Sequence, residues 1–222
     1  MKTLPLLIGP GEWVPPLEPW RIQPQPFLRP GLGIGGVFTG TAGMLLRDGA
    51  FRPYLLTCQH VLHYPRAGLL VSQPALGFDG GRAGLDTVGA SFWGLFPESG
   101  LDAALARLDP RFRPLDPTVA GTTDRIRNIG EARVGQRLIK SGRTTSLTSG
   151  LVEAFGNYPV PYPQGMCSIR GFLIRTENPG DARPIAVPGD SGDIWYDPQT
   201  GAAVGLLVAG GQEPQPYAIA CS

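Results

Sequence analysis

Acyl transfer at a serine needs a nucleophile, a base and an orienting acid, and this chain holds a candidate for each. Ser191 sits at the tip of Pro188-Gly189-Asp190-Ser191-Gly192-Asp193, His60 ends Leu55-Leu56-Thr57-Cys58-Gln59-His60, and Asp102 opens Leu101-Asp102-Ala103-Ala104-Leu105. A serine hydroxyl is a poor nucleophile at neutral pH until a base takes its proton and fixed donors hold the oxyanion. Histidine suits the first task, and a buried carboxylate at its Nδ1 fixes the tautomer. Gly189 and Gly192 let the chain turn sharply, so that the amides of Gly189 and Ser191 can reach a carbonyl oxygen.

Each residue also has a plainer reading. Gly-Asp-Ser-Gly is an ordinary loop sequence between strands, a lone histidine is usually structural, and Asp86 and Asp109 rival Asp102 for the orienting role. Cys58, His60 and His63 lie close enough to suggest a metal site. Their spacing fits no common zinc pattern without a second cluster, so the expectation is no metal and no cofactor.

The elements that must position these groups are short strands. With 32 Gly and 24 Pro in 222 residues, turns are frequent and helices are not expected. Val37 to Leu46 and Tyr54 to Thr57 flank an Asp48-Gly49 hairpin signal; further strands are expected at 69–73, 87–96, 103–108, 136–140, 150–155, 168–176 and 202–209. Residues 1–31 form a Pro-rich arm, with Trp13 and Trp20, expected to be extended and to lie across the body; a ligand for another protein is its alternative role. The proline-punctuated stretch from Leu108 to Thr123 reads as a connector between two halves, 32–115 and 116–222.

Charge is balanced, 19 basic against 18 acidic residues, which argues against a nucleic-acid or anionic-membrane partner. Cys58, Cys167 and Cys221 include no Cys-x-x-Cys pair and suit reduced thiols, with a Cys167–Cys221 bridge left open. The first ten residues fall short of a signal peptide, and no apolar run is long enough to span a bilayer. A soluble, cytoplasmic protein is expected.

The order His60, Asp102, Ser191 resembles that of trypsin-like serine peptidases, and the three segments quoted above are similar to their histidine, aspartate and serine motifs. Val134-Gly135-Gln136 with Lys140-Ser141-Gly142-Arg143-Thr144-Thr145 to Gly150 is similar to a hairpin of bacterial members such as the streptogrisins and α-lytic protease. The runs from Gly40 to Val61 and from Val204 to Gly210 look closest to bacterial and plant peptidases related to the rice Narrow leaf 1 protein. The likeness covers about residues 34–222.

The resemblance implies an all-β fold of two packed six-stranded antiparallel barrels, 32–115 with His60 and Asp102 and 116–222 with Ser191, and an active site between them. It implies a serine endopeptidase acting on a protein or peptide substrate, with Gly189 and Ser191 as the oxyanion hole. Ile185 would be the pocket floor, and Val208, Ala209 and Gly210 the strand that pairs with substrate. These suggest a small or apolar residue before the scissile bond, whereas Arg183 would favour an acidic one. A Lys140–Asp190 ion pair is expected to shape the oxyanion loop. Asp193 departs from the family pattern, and its charge is expected near the leaving-group side. A catalytically weak domain working as a protein-binding module is the competing reading.

Overall fold

The computed structural model describes residues 16–36, 38–62, 68–178, 180, 183–212 and 215–222. Trp13 with the rest of residues 1–15, Val37 and His63 lie outside these residues, and with His63 the three-residue metal reading.

Turn chemistry sets the first sheet. Asp48 Oδ1 accepts the amides of Ala50 and Arg52 and so closes the predicted hairpin. β3 (Met44–Arg47) thereby pairs antiparallel with β4 (Pro53–Thr57). With β1 (Gly33–Gly35), β2 (Thr39–Thr41), β5 (Leu70–Ser72), β6 (Thr87–Leu95) and β7 (Ala103–Leu108), the order is β2-β1-β5-β6-β7-β4-β3. Only Ala42 and Gly43 separate the two ends of that order. Ala42 donates its amide to Leu32 O at 2.8 Å and Gly43 donates to Leu56 O at 3.0 Å, so one bent strand changes partners and closes the barrel. The expected continuous strand from Val37 to Leu46 is therefore broken where it swaps neighbours. A Cβ on Gly43 would stand 2.3 Å from Gly192 O, which leaves no room for a side chain beside the serine turn.

The second sheet comprises β8 (Asn128–Ile129), β9 (Arg137–Gly142), β10 (Ser146–Tyr162), β11 (Gly165–Arg175), β12 (Ile194–Asp197), β13 (Ala202–Gly211) and β14 (Tyr217–Cys221). Their order is β12-β9-β10-β11-β14-β13-β8, and β12 also pairs with β13. Six strands thus close on themselves, and the two-residue β8 is added in parallel to β13. Counting β2 and β3 as one bent strand, this is the expected pair of six-stranded barrels, with β8 as the addition.

β10 runs far beyond the strand expected at 150–155, and β11 starts three residues before the one expected at 168–176. β9 covers one edge of β10 only as far as Leu151, and the hairpin continues to Tyr162 opposite Gly165. Pro159 and Pro161 thus lie on an edge that no strand covers, where a missing N–H does no harm. This extension carries Tyr162 towards the first barrel.

One buried cluster runs from Leu55, Val61 and Ala106 to Ile169, Val208 and Ile219, joining the barrels; another, with Val152, Phe172, Trp195 and Leu207, fills the second. Between Pro16 and Pro30 the arm includes a single 3-10 turn, Pro19–Ile22, and is anchored by Leu28, fully buried in the cluster that joins the barrels, and by polar contacts. Arg21 is fully buried and donates to Gly31 O at 3.0 Å and Ser141 Oγ at 2.9 Å, while Leu17 donates its amide to Thr144 O at 2.9 Å and leaves its side chain exposed. All three cysteines are free and buried, so the Cys167–Cys221 bridge is not formed.

Candidate active site

β4 delivers His60 and β7 delivers Asp102, because the two strands are neighbours: Thr57 lies opposite Ala104. Asp102 is fully buried, and His60 is partly open to solvent. His60 Nδ1 lies 2.5 Å from Asp102 Oδ2. The other carboxylate oxygen accepts the amides of Gln59 at 2.7 Å and His60 at 3.3 Å. Burial alone would raise the Asp102 carboxyl, but the His60 charge and the hydrogen bonds from His60 and Tyr162 outweigh it and hold the group below the usual carboxylate range. Neither rival takes this place. Asp86 accepts from Arg82, and Asp109 pairs with exposed Arg111.

Tyr162 is the residue of the candidate site that motif reading misses. Its hydroxyl donates to Asp102 Oδ2 at 2.9 Å, the same oxygen that faces His60, and its ring meets the imidazole edge-on at 5.8 Å. Tyr162 belongs to the second barrel, so the acid of the first barrel is completed by its neighbour.

The serine turn comes from the second barrel and is sewn to the first. Thr41 donates its amide to Ser191 O at 2.8 Å and its hydroxyl to Gly189 O at 3.0 Å. Ser191 O and the Val61 side chain both approach the place where a Cβ on Gly40 would stand, at 2.7 and 2.4 Å. Gly192 is equally confined, its Cβ position being 2.0 Å from Thr57 Oγ1 and 3.1 Å from Cys58 N. The turn therefore lies against the segment that ends in His60. Ser191 Oγ and His60 Nε2 are not hydrogen-bonded, a looseness common before substrate is bound.

Asp190, Gly192 and Asp193 donate their amides to Val187 O, Leu207 O and Asp190 O. No described residue accepts from Gly189 or Ser191. Thr144 Oγ1 holds Pro188 O at 3.0 Å, so across that trans peptide the Gly189 N–H points the opposite way. Gly189 and Gly192 have φ of +96° and +93°, which only glycine adopts without strain.

Asp190 is fully buried and well satisfied, accepting from the amides of Thr144 and Thr145, from Thr145 Oγ1 and from Val187 N. Lys140 Nζ lies 3.6 Å from Asp190 Oδ2, inside direct pairing range, and donates to Thr145 Oγ1 at 2.7 Å. Asp193 overturns an expectation. Its carboxylate turns inward, is almost fully buried, and lies 3.5 Å from the same Lys140, so it adds no charge on the leaving-group side. One ammonium thus faces two acids. Burial, with Asp190 adding repulsion and Lys140 only partly offsetting it, pushes the Asp193 carboxyl up to about 7.

Val208, Ala209 and Gly210 lie on β13 against β14 and are buried. Ile185 is buried in the apolar cluster of the second barrel, and with Arg183, Thr148 and Glu177 it also lines a cavity. Cys58 does bring its sulfur within 4.8 Å of ligand atoms of His60 and Asp102. Burial pushes that thiol well up, however, and it is hydrogen-bonded to Leu207 O, so it does not offer the thiolate a metal needs.

No family model matches the chain, and no curated protein sequence does. Solved structures do share its chymotrypsin-like double-barrel fold. Nocardiopsis protease is 24% identical, with a TM-score of 0.63 over 88% of this chain and 93% of that one. Thermobifida fusca protease A is 22% identical, with a TM-score of 0.62 over 87% and 91%. A glutamic acid specific serine protease that uses a histidine triad in substrate binding is 25% identical, with a TM-score of 0.63 over 87% and 92%.

Proposed function

We propose that this protein is a serine endopeptidase that hydrolyses peptide bonds of a protein or peptide substrate through an acyl-enzyme. The observation that carries the reading is the buried Asp102 carboxylate on His60 Nδ1, with the serine turn sewn against the same segment. Ser191 Oγ attacks the carbonyl carbon while His60 Nε2 takes its proton, and the amides of Gly189 and Ser191 hold the oxyanion. The C–N bond then breaks, His60 returns the proton to the leaving amine, and water releases the acyl group by the reverse sequence. The serine protease neighbours support the same class.

The histidine triad of the glutamic acid specific neighbour has no counterpart, because this chain has two histidines, both at the start of the molecule's catalytic segment, His60 and His63. The binding-module reading drew on Asp193, and that support goes with its inward orientation. Likeness to peptidases related to rice Narrow leaf 1, and a cytoplasmic setting for three buried thiols, belong to the same proposal.

A fluorophosphonate probe tests it. Stoichiometric labelling of the wild type and none of Ser191→Ala is expected; a folded wild type that takes no label contradicts the proposal.

A further inference from the structure

Both peptides that flank Gly189 are held by threonine hydroxyls. Thr144 Oγ1 donates to Pro188 O and Thr41 Oγ1 donates to Gly189 O, each at 3.0 Å. A hydroxyl has a single proton, and a neighbour that can only donate leaves that proton for the turn. One residue supplies both neighbours. The Arg143 backbone N–H donates to Thr41 Oγ1 at 2.9 Å, and Arg143 Nη1 donates to Thr144 Oγ1 at 2.9 Å. Both hydroxyls are thereby directed at the serine turn.

Asp79, between β5 and β6 of the first barrel, orients the guanidinium. Its two carboxylate oxygens accept Arg143 Nε at 3.2 and 3.1 Å, and Oδ1 also accepts Nη2. Thr39 Oγ1 donates to the same carboxylate at 2.7 Å. Both side chains of the pair are sealed from water. The pair uses the Nε–Nη2 edge and leaves Nη1 turned to Thr144. Nη1 also lies 2.8 Å from where a Cβ on Gly189 would stand, so the guanidinium packs on the turn itself. A guanidinium offers only donors. A reversed Pro188–Gly189 peptide would aim the Gly189 N–H at that cation and withdraw the carbonyl from Thr144, a costly mismatch where water is excluded. Desolvating two charges costs stability, and an apolar pair of similar volume commonly packs as well, so the pair serves orientation rather than adhesion.

We propose that Arg143, oriented by Asp79, is a positioning residue of the oxyanion hole: it fixes the Thr144 hydroxyl on Pro188 O and so keeps the Gly189 N–H facing the substrate carbonyl. This rests on the serine peptidase reading. An acid of the first barrel thus sets an oxyanion donor of the second.

The test is the rate of fluorophosphonate labelling, in which the phosphonyl oxygen occupies the oxyanion site, with kcat and KM on fluorescein-labelled casein, all at equal folded concentration. Thr144→Val removes the hydroxyl at nearly constant volume. It should lower the labelling rate and kcat by roughly 10- to 100-fold and leave KM within about 2-fold, because the donor is used only as the oxyanion forms. Thr144→Ser restores a hydroxyl and should recover most of the loss. The double variant Asp79→Leu with Arg143→Met removes both buried charges together; it should fold and show the Thr144→Val defect. A labelled wild type whose folded Thr144→Val variant is labelled and turns over at the wild-type rate, or is impaired in KM alone, overturns the positioning role and leaves the peptidase reading standing. A folded double variant with the wild-type kcat overturns the part given to Asp79 and Arg143. A folded wild type that takes no label overturns the peptidase reading and the positioning role together.

Discussion

Asp102 and Asp193 are both sealed from water, and burial penalises the charge on each. They differ in what meets the carboxylate. Asp102 receives His60, two backbone amides and the Tyr162 hydroxyl, and its carboxyl is held below the ordinary range. Asp193 Oδ1 accepts the amide of Ile194, but Oδ2 has no hydrogen-bond partner and shares Lys140 with Asp190. Its carboxyl is pushed up to about 7. Donors, rather than depth of burial, decide which buried acid stays ionised. In the proposed mechanism the acid that stabilises an imidazolium is the one that is fully supplied.

Several variants would break or sharpen that contrast. Asp102→Asn should leave the fold intact and lower kcat by roughly 10³ to 10⁴, the cost of the wrong histidine tautomer, read in steady-state hydrolysis. An equal rate would show that Asp102 does not orient His60. Lys140→Met should unfold or strongly destabilise the protein, by about 3–5 kcal/mol in denaturant titration, because it leaves two buried acids with no cation. A change within about 0.5 kcal/mol would mean that the Lys140 cluster is not under electrostatic load.

Tyr162→Phe should lower kcat by roughly 10- to 150-fold, in line with a hydrogen bond to a charged group worth about 1.5–3 kcal/mol. A rate within about 2-fold of wild type would show that the Tyr162 hydroxyl does not support the Asp102 carboxylate.

Asp193→Asn is expected to have the smallest effect. Asp193 binds its proton more tightly in the folded state, at about 7 against an ordinary 3.8. The stability linked to that proton is full below about pH 3.8 and is lost as pH rises through about 7. The asparagine variant should therefore escape this loss and melt roughly 2–8 °C above wild type at pH 8, as a gain of about 1–2 kcal/mol would give, with the gap closing by pH 5. A gap that widens in acid would reverse the sign and the explanation.

Much of the site was legible in the sequence because its parts are local. The Asp48-Gly49 hairpin, the Leu55–Thr57 run and the Gly-flanked serine each announce themselves within a few residues. What stayed hidden depends on distant contacts. Tyr162 lies 60 residues from Asp102, on a hairpin extension whose Pro159 and Pro161 read as loop until the uncovered edge is seen. β14 is buried on both faces and shows no alternation, so Tyr217 gave no strand signal. Asp193 carries a charge in a turn, which suggests solvent; only the position of Lys140 on β9 explains why it points inward. The Pro-rich arm is held by Arg21 as well as by buried Leu28, and an arginine with three buried acceptors is not visible as an anchor in sequence.

The central claim is that His60, Asp102 and Ser191 act as one hydrolytic unit. Turnover of an unstructured protein substrate by wild type, compared with Ser191→Ala at equal folded concentration, tests it most directly. Hydrolysis by the wild type that falls by about 10⁶ in the variant is predicted; hydrolysis that survives the loss of the serine hydroxyl would contradict it.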